Sequence, residues 1–380
     1  MKKVDCVIIG GGVIGLSTAY NLGLNGFSKV VVIEKKYVGY GASGRCGGGV
    51  RQQWSTMENI VLAKKSVEIF EKLSSELEIN IWFNQGGYLF LSYSEKEYEE
   101  IKKAVKLQNS MGVPSILLSE KETKERYPYL NLNGVVGASY CHTDGTVFPF
   151  PVIWGYSEKS RAMGIEIHEK EEVIKIEKVK DYSYKVTTDK DVYETSWIIN
   201  AAGAWSPNVA SMLGITIPNK PYRHEIIVTE PIKLFLEPMV VSLKTGLYMS
   251  QSMRGEVIGG INMSSLAEDY SMNATSDFLK NVAKEFTTVI PRLSNARVMR
   301  QWAGLYDETP DGKPLIGEEK NFPGFVEVNG FGGHGFMLSP MVGVLASSII
   351  LKKKPIIPIE LYNPNRFENG VKDKESFSLG

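Results

Sequence analysis

Residues 10 to 15 read Gly-Gly-Gly-Val-Ile-Gly, directly after the apolar run Val7-Ile8-Ile9. Nineteen residues past Gly15, closing Val30-Val31-Val32-Ile33, stands Glu34. Residue types at this spacing bind a dinucleotide. Gly10 and Gly12 permit a tight turn and bring backbone N–H groups against a pyrophosphate, while Gly15 lets the next helix pack close to the strand. That helix, expected at about 13–24, aims its N-terminus at the phosphates, where free N–H groups and the helix dipole favour negative charge. Glu34 is placed to accept a hydrogen bond from the ribose 2′-OH of an adenosine half. An acid there disfavours a 2′-phosphate, and so NADP. Glycine spacing alone is weak evidence. Strand, glycines, helix, second strand and acid in this order are strong evidence.

The elements that must hold this site follow from pattern. Six glycines fall within Gly39 to Gly49, too many for a regular element. A loop there can bring backbone against a flat ligand, or simply lie on the surface. Helices are expected at about 58–78 and 94–111, the second opened by Ser94 and Glu97 as a capping box. Ser119 and Glu122 open a short helix that ends before Pro128. Residues 86–92 read as a strand, 165–195 as a β-meander, and 197–206 as a buried strand entering a glycine turn. The chain is β-rich over 220–262, then helical over 275–289 up to Pro291. The stretch Val328 to Met337 is again glycine-rich, and Pro340 stands where a helix is expected to begin. No internal repeat is evident.

At 380 residues the chain is long for one core and suggests two interleaved domains. Zero formal net charge gives no support to nucleic-acid binding. Three cysteines without metal or redox spacing fit a reducing cytosol. Only Met1-Lys2-Lys3 precede the first strand, so no signal peptide is expected. Met341 to Leu351 is too short to cross a bilayer. It is expected as a core helix, with peripheral membrane contact as the second option. Four scattered histidines show no metal-ligand spacing, so no metal is expected.

Five segments together resemble the D-amino acid oxidase-like (DAO) family of FAD enzymes, over nearly the whole chain. They are the N-terminal fingerprint with Glu34, Gly41-Ala42-Ser43, and Asn200-Ala-Ala-Gly-Ala-Trp-Ser206. The others are Ala303-Gly-x-Tyr306-x-x-Thr-Pro-Asp311 and Gly330-Phe-Gly-Gly-His-Gly335. Gly47 to Gln53, Gly86 to Leu91, Tyr222-x-His224 and Tyr362 to Phe367 look most like the β subunits of archaeal dye-linked L-proline dehydrogenases. The β subunits of sarcosine oxidases are more distant. The resemblance implies an α/β (α+β overall) fold: a Rossmann-like FAD-binding domain interleaved with an antiparallel β-sheet substrate domain. The FAD-binding parts are expected at 1–85, 142–218 and 300–380, and the substrate parts at 86–141 and 219–299.

The FAD contacts so implied are Gly10, Gly12, Val13, Ile14, Gly15, Glu34, Lys35, Ala42, Ser43, Gly47, Gly48, Gly49, Val173, Ala202, Gly203, Trp205, Gly304, Gly330, Gly332, Gly333, His334, Gly335 and Met337. Gly304 stands where monomeric sarcosine oxidases carry a flavin-linking cysteine, so FAD is expected to be non-covalent. Those oxidases activate oxygen with a lysine, and the matching stretch Gly255 to Gly260 has none, which resembles a dehydrogenase. Phe148-Pro149-Phe150 stands near the histidine that carries FMN in heterotetrameric oxidases. Covalent FMN is therefore not expected, and non-covalent FMN at a subunit interface stays open.

A flavin takes a hydride equivalent from the carbon beside an amine. The pocket must then favour a neutral amine and anchor a carboxylate. Arg51 offers a planar guanidinium fork for that anchor, or is a surface salt-bridge residue. Tyr248 and Tyr306 each face substrate or serve the core, and His224 contacts substrate or satisfies a strand end. His334, between two glycines, either approaches the flavin or caps the loop. The helix after it aims its N-terminus at the charge that develops on the reduced ring. The expected activity is oxidation of a secondary amino acid, foremost L-proline to 1-pyrroline-5-carboxylate. Electrons leave to a dye, a quinone or a partner flavin. An oxidase of sarcosine, glycine or a D-amino acid is the alternative, as is an electron-relay subunit inactive alone. An α subunit or a second copy of the chain is an open partner.

Overall fold

The computed structural model describes residues 1–263 and 269–369. Its helices are α1 (Val13–Leu24), α2 (Met57–Leu77), α3 (Glu95–Ser110), α4 (Glu120–Arg126), α5 (Pro149–Ala162), α6 (Ser206–Ser211), α7 (Ser276–Val289) and α8 (Gly335–Ile350). Strand Cys6–Ile9 is buried at every position. Cys6 and Ile8 face a core shared with α1, α2, α5 and α8, while Val7 and Ile9 face the meander. A strand covered on both faces reads as a continuous apolar run, and this one does.

Six strands form the parallel layer, in the order Leu315–Glu318, Phe325–Asn329, Trp197–Asn200, Cys6–Ile9, Val30–Glu34, Glu166–Glu169, with only the first pair antiparallel. Glu166–Glu169 leaves the expected meander and pairs with Val30–Glu34. The meander proper is Val173–Lys180, Ser183–Thr188 and Val192–Thr195, closed by Lys2–Lys3. The eight-stranded sheet runs Val298–Glu308, Lys220–Thr229, Val257–Gly260, Leu247–Gln251, Met239–Ser242, Tyr88–Ser92, Gly137–Cys141, Ser115–Ser119. It is antiparallel except where Met239–Ser242 meets Tyr88–Ser92. Those two strands arrive from separate parts of the chain, so no hairpin dictates their direction. Val298–Glu308 stays in this sheet to Glu308, past the limit of 300 drawn from sequence.

Two helix ends differ from expectation. Ser119 and Glu122 form the full capping box, but Glu97 accepts from the N–H of Tyr93 instead of Ser94. Helix α8 begins at Gly335 and carries Pro340 inside it. A proline there leaves the Phe336 carbonyl without its helical donor. The Ser339 hydroxyl donates to that carbonyl at 2.8 Å instead. Most of Met341 to Leu351 lies in α8, which is largely buried and packs on α1 and α2. Among the described residues no helix is long and apolar enough to cross a membrane.

Candidate active site

Between the two large sheets runs a cleft of about 1800 Å³, its open mouth included. Its lining runs from Glu34 and Lys35 to Tyr248 and Tyr306. One end is lined by Glu34, Lys35, Glu171, Glu172 and Val173. Glu34 is buried there, accepting from the N–H of Gly11 at 2.9 Å and of Lys36 at 2.8 Å. Burial raises its carboxyl, and those two N–H groups pull against the rise. Lys35 lies 3.9 Å over the Trp205 ring, and burial lowers its ammonium.

The middle of the cleft is a helix terminus. Helix α1 has Gly12 at its N-cap and no side-chain cap from that residue. Its first N–H, at Val13, donates to the Ser43 hydroxyl at 3.0 Å. A Cβ on Gly10 would sit 2.4 Å from the Ala201 carbonyl oxygen, so the cradle admits only glycine there. A cradle of bare backbone at a helix N-terminus is what a pyrophosphate requires. The residues present fit the phosphate and adenosine parts of FAD.

The far end is aromatic. Gly47, Gly48 and Gly49 form one wall, and Gly333, Gly335, Phe336 and Met337 another, with Tyr88, His224, Tyr248 and Tyr306 between them. A Cβ on Gly333 would meet the Tyr306 ring at 2.4 Å, and one on Gly49 the Tyr88 hydroxyl at 1.8 Å. His224 stacks on Tyr306 with centroids 3.7 Å apart. Their strands pair side by side, Tyr222 opposite Tyr306 and His224 opposite Gly304. Burial raises the phenols of Tyr88, Tyr248 and Tyr306 well above their ordinary range. They are neutral hydroxyls at physiological pH. Arg45 ties the glycine loop to the large sheet, donating to the carbonyls of Tyr40 at 3.0 Å and Ala303 at 3.2 Å.

Of the residues expected from sequence, Gly10, Gly12, Val13, Ile14, Glu34, Lys35, Ala42, Ser43, Gly47, Gly48, Gly49, Val173, Ala202, Gly203, Trp205, Gly304, Gly333, Gly335 and Met337 line the cleft, with His224, Tyr248 and Tyr306. Gly15, Gly330, Gly332, Arg51 and His334 do not. Gly15 packs helix to strand: its Cβ would lie 2.1 Å from the Gly10 carbonyl oxygen. Gly330 and Gly332 hold their loop, the first donating to the Asp307 carboxylate at 2.6 Å and the second to its carbonyl at 3.1 Å.

Arg51 and His334 form a buried pair behind the wall. Arg51 Nη2 lies 3.2 Å from His334 Nε2. Its guanidinium sits 4.0 Å over the Trp54 ring, and Trp54 meets His334 edge to face. Arginine only donates, so in this contact His334 Nε2 is placed to accept. Asp144, fully buried, accepts from the backbone and side chain of Gln52 and from the side chain of Gln53. Sequence reasoning missed Tyr88, Arg45 and Asp144. Tyr88 follows the Gly86-Gly87 pair and was visible only as part of a strand motif. Among the described residues no cluster suits a metal ion.

Comparison with known proteins agrees with this geometry. Residues 5–349 match the family described as DAO, FAD dependent oxidoreductase. The crystal structure of L-proline dehydrogenase from P. horikoshii is 37% identical, with a TM-score of 0.93 over 98% of this chain and 100% of that one. Sarcosine oxidase subunit beta from Rhodobacter capsulatus is 28% identical over 100% of this chain and 92% of its own length. Glycine oxidase from Geobacillus kaustophilus, 22% identical over 96% of this chain and 99% of that one, shares the fold with a TM-score of 0.90.

Proposed function

The chain belongs to the DAO family of FAD-dependent oxidoreductases, and from that premise we propose that it is a dehydrogenase of a secondary amino acid, foremost L-proline, giving 1-pyrroline-5-carboxylate. The observation that carries this reading is the full-length likeness to a proline dehydrogenase, at 37% identity. The amino-acid oxidoreductase class itself is common ground with the sarcosine oxidase subunit.

When bound, FAD supplies a two-electron acceptor for the hydrogen on the carbon beside the amine. The chain does the rest. Gly10, Gly12, Val13 and Ser43 hold the pyrophosphate at the start of α1, and Glu34 takes the ribose. The backbone of Gly333 to Met337 opens α8 toward the cleft, so its dipole stabilises negative charge there. Tyr88, Tyr248 and Tyr306 surround the substrate with an apolar wall that excludes water and offers neutral hydroxyl donors. Arg51 supplies positive potential for the carboxylate across Tyr88, whose phenol feels its charge. His334 holds Arg51 in that place. Among the described residues the FAD-binding part is then 1–85, 142–218 and 309–369, and the substrate part 86–141, 219–263 and 269–308.

Dehydrogenase is favoured over oxidase because Lys35, at the adenosine end, is the only lysine on the cleft wall among the described residues. The proposal is for non-covalent FAD alone. Sarcosine, also a secondary amine, is the second reading, favoured by the full-length likeness to a sarcosine oxidase subunit. A partner subunit belongs with that reading, since the relative is named as one of several. Anaerobic mixing of the flavoprotein with a panel of amino acids tests all of this. L-proline is expected to bleach the flavin fastest, dye reduction to proceed with the isolated chain, and turnover in air to yield little peroxide. Stoichiometric peroxide would make it an oxidase. No dye reduction by the chain alone would make it a relay subunit.

A further inference from the structure

The carbon beside an amine gives up its hydrogen only when the nitrogen lone pair is free. Amino acids carry an ammonium at neutral pH, so a proton must leave the substrate in the cleft. Few groups at the aromatic end can take it. Tyr88, Tyr248 and Tyr306 are held as phenols, and burial pushes the Cys46 thiol up to about 12. Asp307 spends its carboxylate on the glycine loop.

His224 stands apart. It lines the cleft and also a smaller polar pocket beyond it, shared with Arg223, Glu225, Thr275 and Asp277. Its Nε2 is buried and has no hydrogen-bond partner. Such an atom is rare in native proteins and marks a place where something else binds or reacts. The facing carboxylate oxygen is Glu308 Oε1, at 3.6 Å, on a side chain 41% exposed. Glu225 does not compete for the role: it is occupied by Thr275 and by the Gln301 side chain. Arg223 leans toward Glu225 at 4.0 Å.

We propose that His224 takes the proton from the substrate ammonium and that Glu308 draws it on to solvent. This rests on the amine-oxidation reading above. Nε2, the atom without a hydrogen-bond partner, is the acceptor. The substrate N–H bond breaks, an imidazole N–H bond forms, and the lone pair stays on the substrate nitrogen. The imidazolium is held by the Glu308 carboxylate, which receives the Nε2 proton and loses it to water. His224 is the catalytic residue here, and Glu308 is a positioning and relay residue.

The test uses flavin-loaded wild type, His224→Ala and Glu308→Gln. Anaerobic bleaching by L-proline is followed from about pH 6 to 10, a span that brackets imidazole titration. His224→Ala is expected to bleach about 10²–10⁴-fold more slowly near neutral pH. It should recover as pH rises toward the amine's own range, and on adding imidazole. Glu308→Gln should shift the acid limb of the wild-type profile. A second readout is binding, seen in the flavin spectrum, of α-methylproline and of tetrahydrofuran-2-carboxylate, whose ring oxygen carries no proton. The variant should lose the pH dependence for the amine and bind the oxygen analogue as wild type does. An unchanged rate near neutral pH, a loss that neither pH nor imidazole restores, or equal loss for the oxygen analogue overturns the proposal. A wild type bleached by another amine but not by L-proline overturns only the substrate reading, and the same series with that amine decides His224. Bleaching by no amine overturns both.

Discussion

At the scale of single residues, the site depends on side chains that are absent as much as on those present. Gly333 has φ +89°, and its missing Cβ makes room for the Tyr306 ring. Gly333→Ala is expected to cost about 1–3 kcal/mol through strain and overpacking, and to lower flavin content. Melting temperature and the flavin-to-protein absorbance ratio read the two effects, and unchanged values for both would remove the wall from the argument. Asp144 gives a pH signature. Burial pushes its carboxyl up to about 6 from 3.8. The stability tied to its protonated form is complete below about pH 4 and is lost as pH rises through about 6. Wild type should therefore lose stability relative to Asp144→Asn across that window, by at most ~3 kcal/mol, with a flat difference above it. Denaturant titrations at stepped pH check this, and parallel curves would place the titration on another group. The glycines and Glu34 were legible in the sequence because their task is local, one turn and one strand end. Asp144 was not, because its partners Gln52 and Gln53 lie about ninety residues away along the chain. For Arg51 and His334 the residue types were legible but not their mutual contact, 283 residues apart.

At the scale of elements, alternation and capping gave the helices and strands, while pairing partners stayed hidden. Glu166–Glu169 has the composition of a meander strand, and only the open edge beside Val30–Glu34 draws it into the parallel layer. Pro340 suggested a helix start by its usual preference. The Ser339 hydroxyl overrides that preference by replacing the donor that proline lacks. Helix α8 then crosses α1 closely. A Cβ on Gly343 would lie 2.5 Å from Ser17 Oγ and 2.7 Å from the Ser17 backbone, and that same hydroxyl donates to the Ser339 carbonyl at 2.8 Å. Both helices present their N-termini to the cleft, so their separation sets the distance between the Gly10–Gly12 turn and the wall made by Gly333 to Met337. Gly343→Val should force them apart at a cost of about 1–3 kcal/mol, and weaken FAD retention more than a surface change of equal cost. Flavin release on dilution, compared with a destabilised surface variant of matched melting temperature, separates the two. Equal release would mean that the helix crossing serves stability alone.

At the scale of the whole molecule, the fold class and both glycine walls were readable from sequence, because each motif carries its own turn or helix start. The cleft that joins them was not, since it exists only where the parallel layer, the meander and the large sheet meet. Its wall draws on residues 9–49, 171–173, 201–212, 224–248 and 304–337. A ligand spanning that wall binds the folded chain and has no site in the unfolded one, so it stabilises by mass action. Adding FAD to flavin-free protein should raise the melting temperature without saturating. The gain follows RT ln(1 + [L]/Kd), or about 4 kcal/mol at a thousandfold excess over Kd. NADP should give far less, since Glu34 already has both carboxylate oxygens turned to backbone N–H groups and meets the 2′-phosphate with like charge. Limited proteolysis supplies the spatial part of the test. The loop Gly39 to Gly49 reaches the start of α1 through Ser43 and the large sheet through Arg45. It should be cut faster without FAD than with it. A thermal gain without protection of that loop would mean that FAD seats in the parallel layer alone, and that the large sheet closes over it independently.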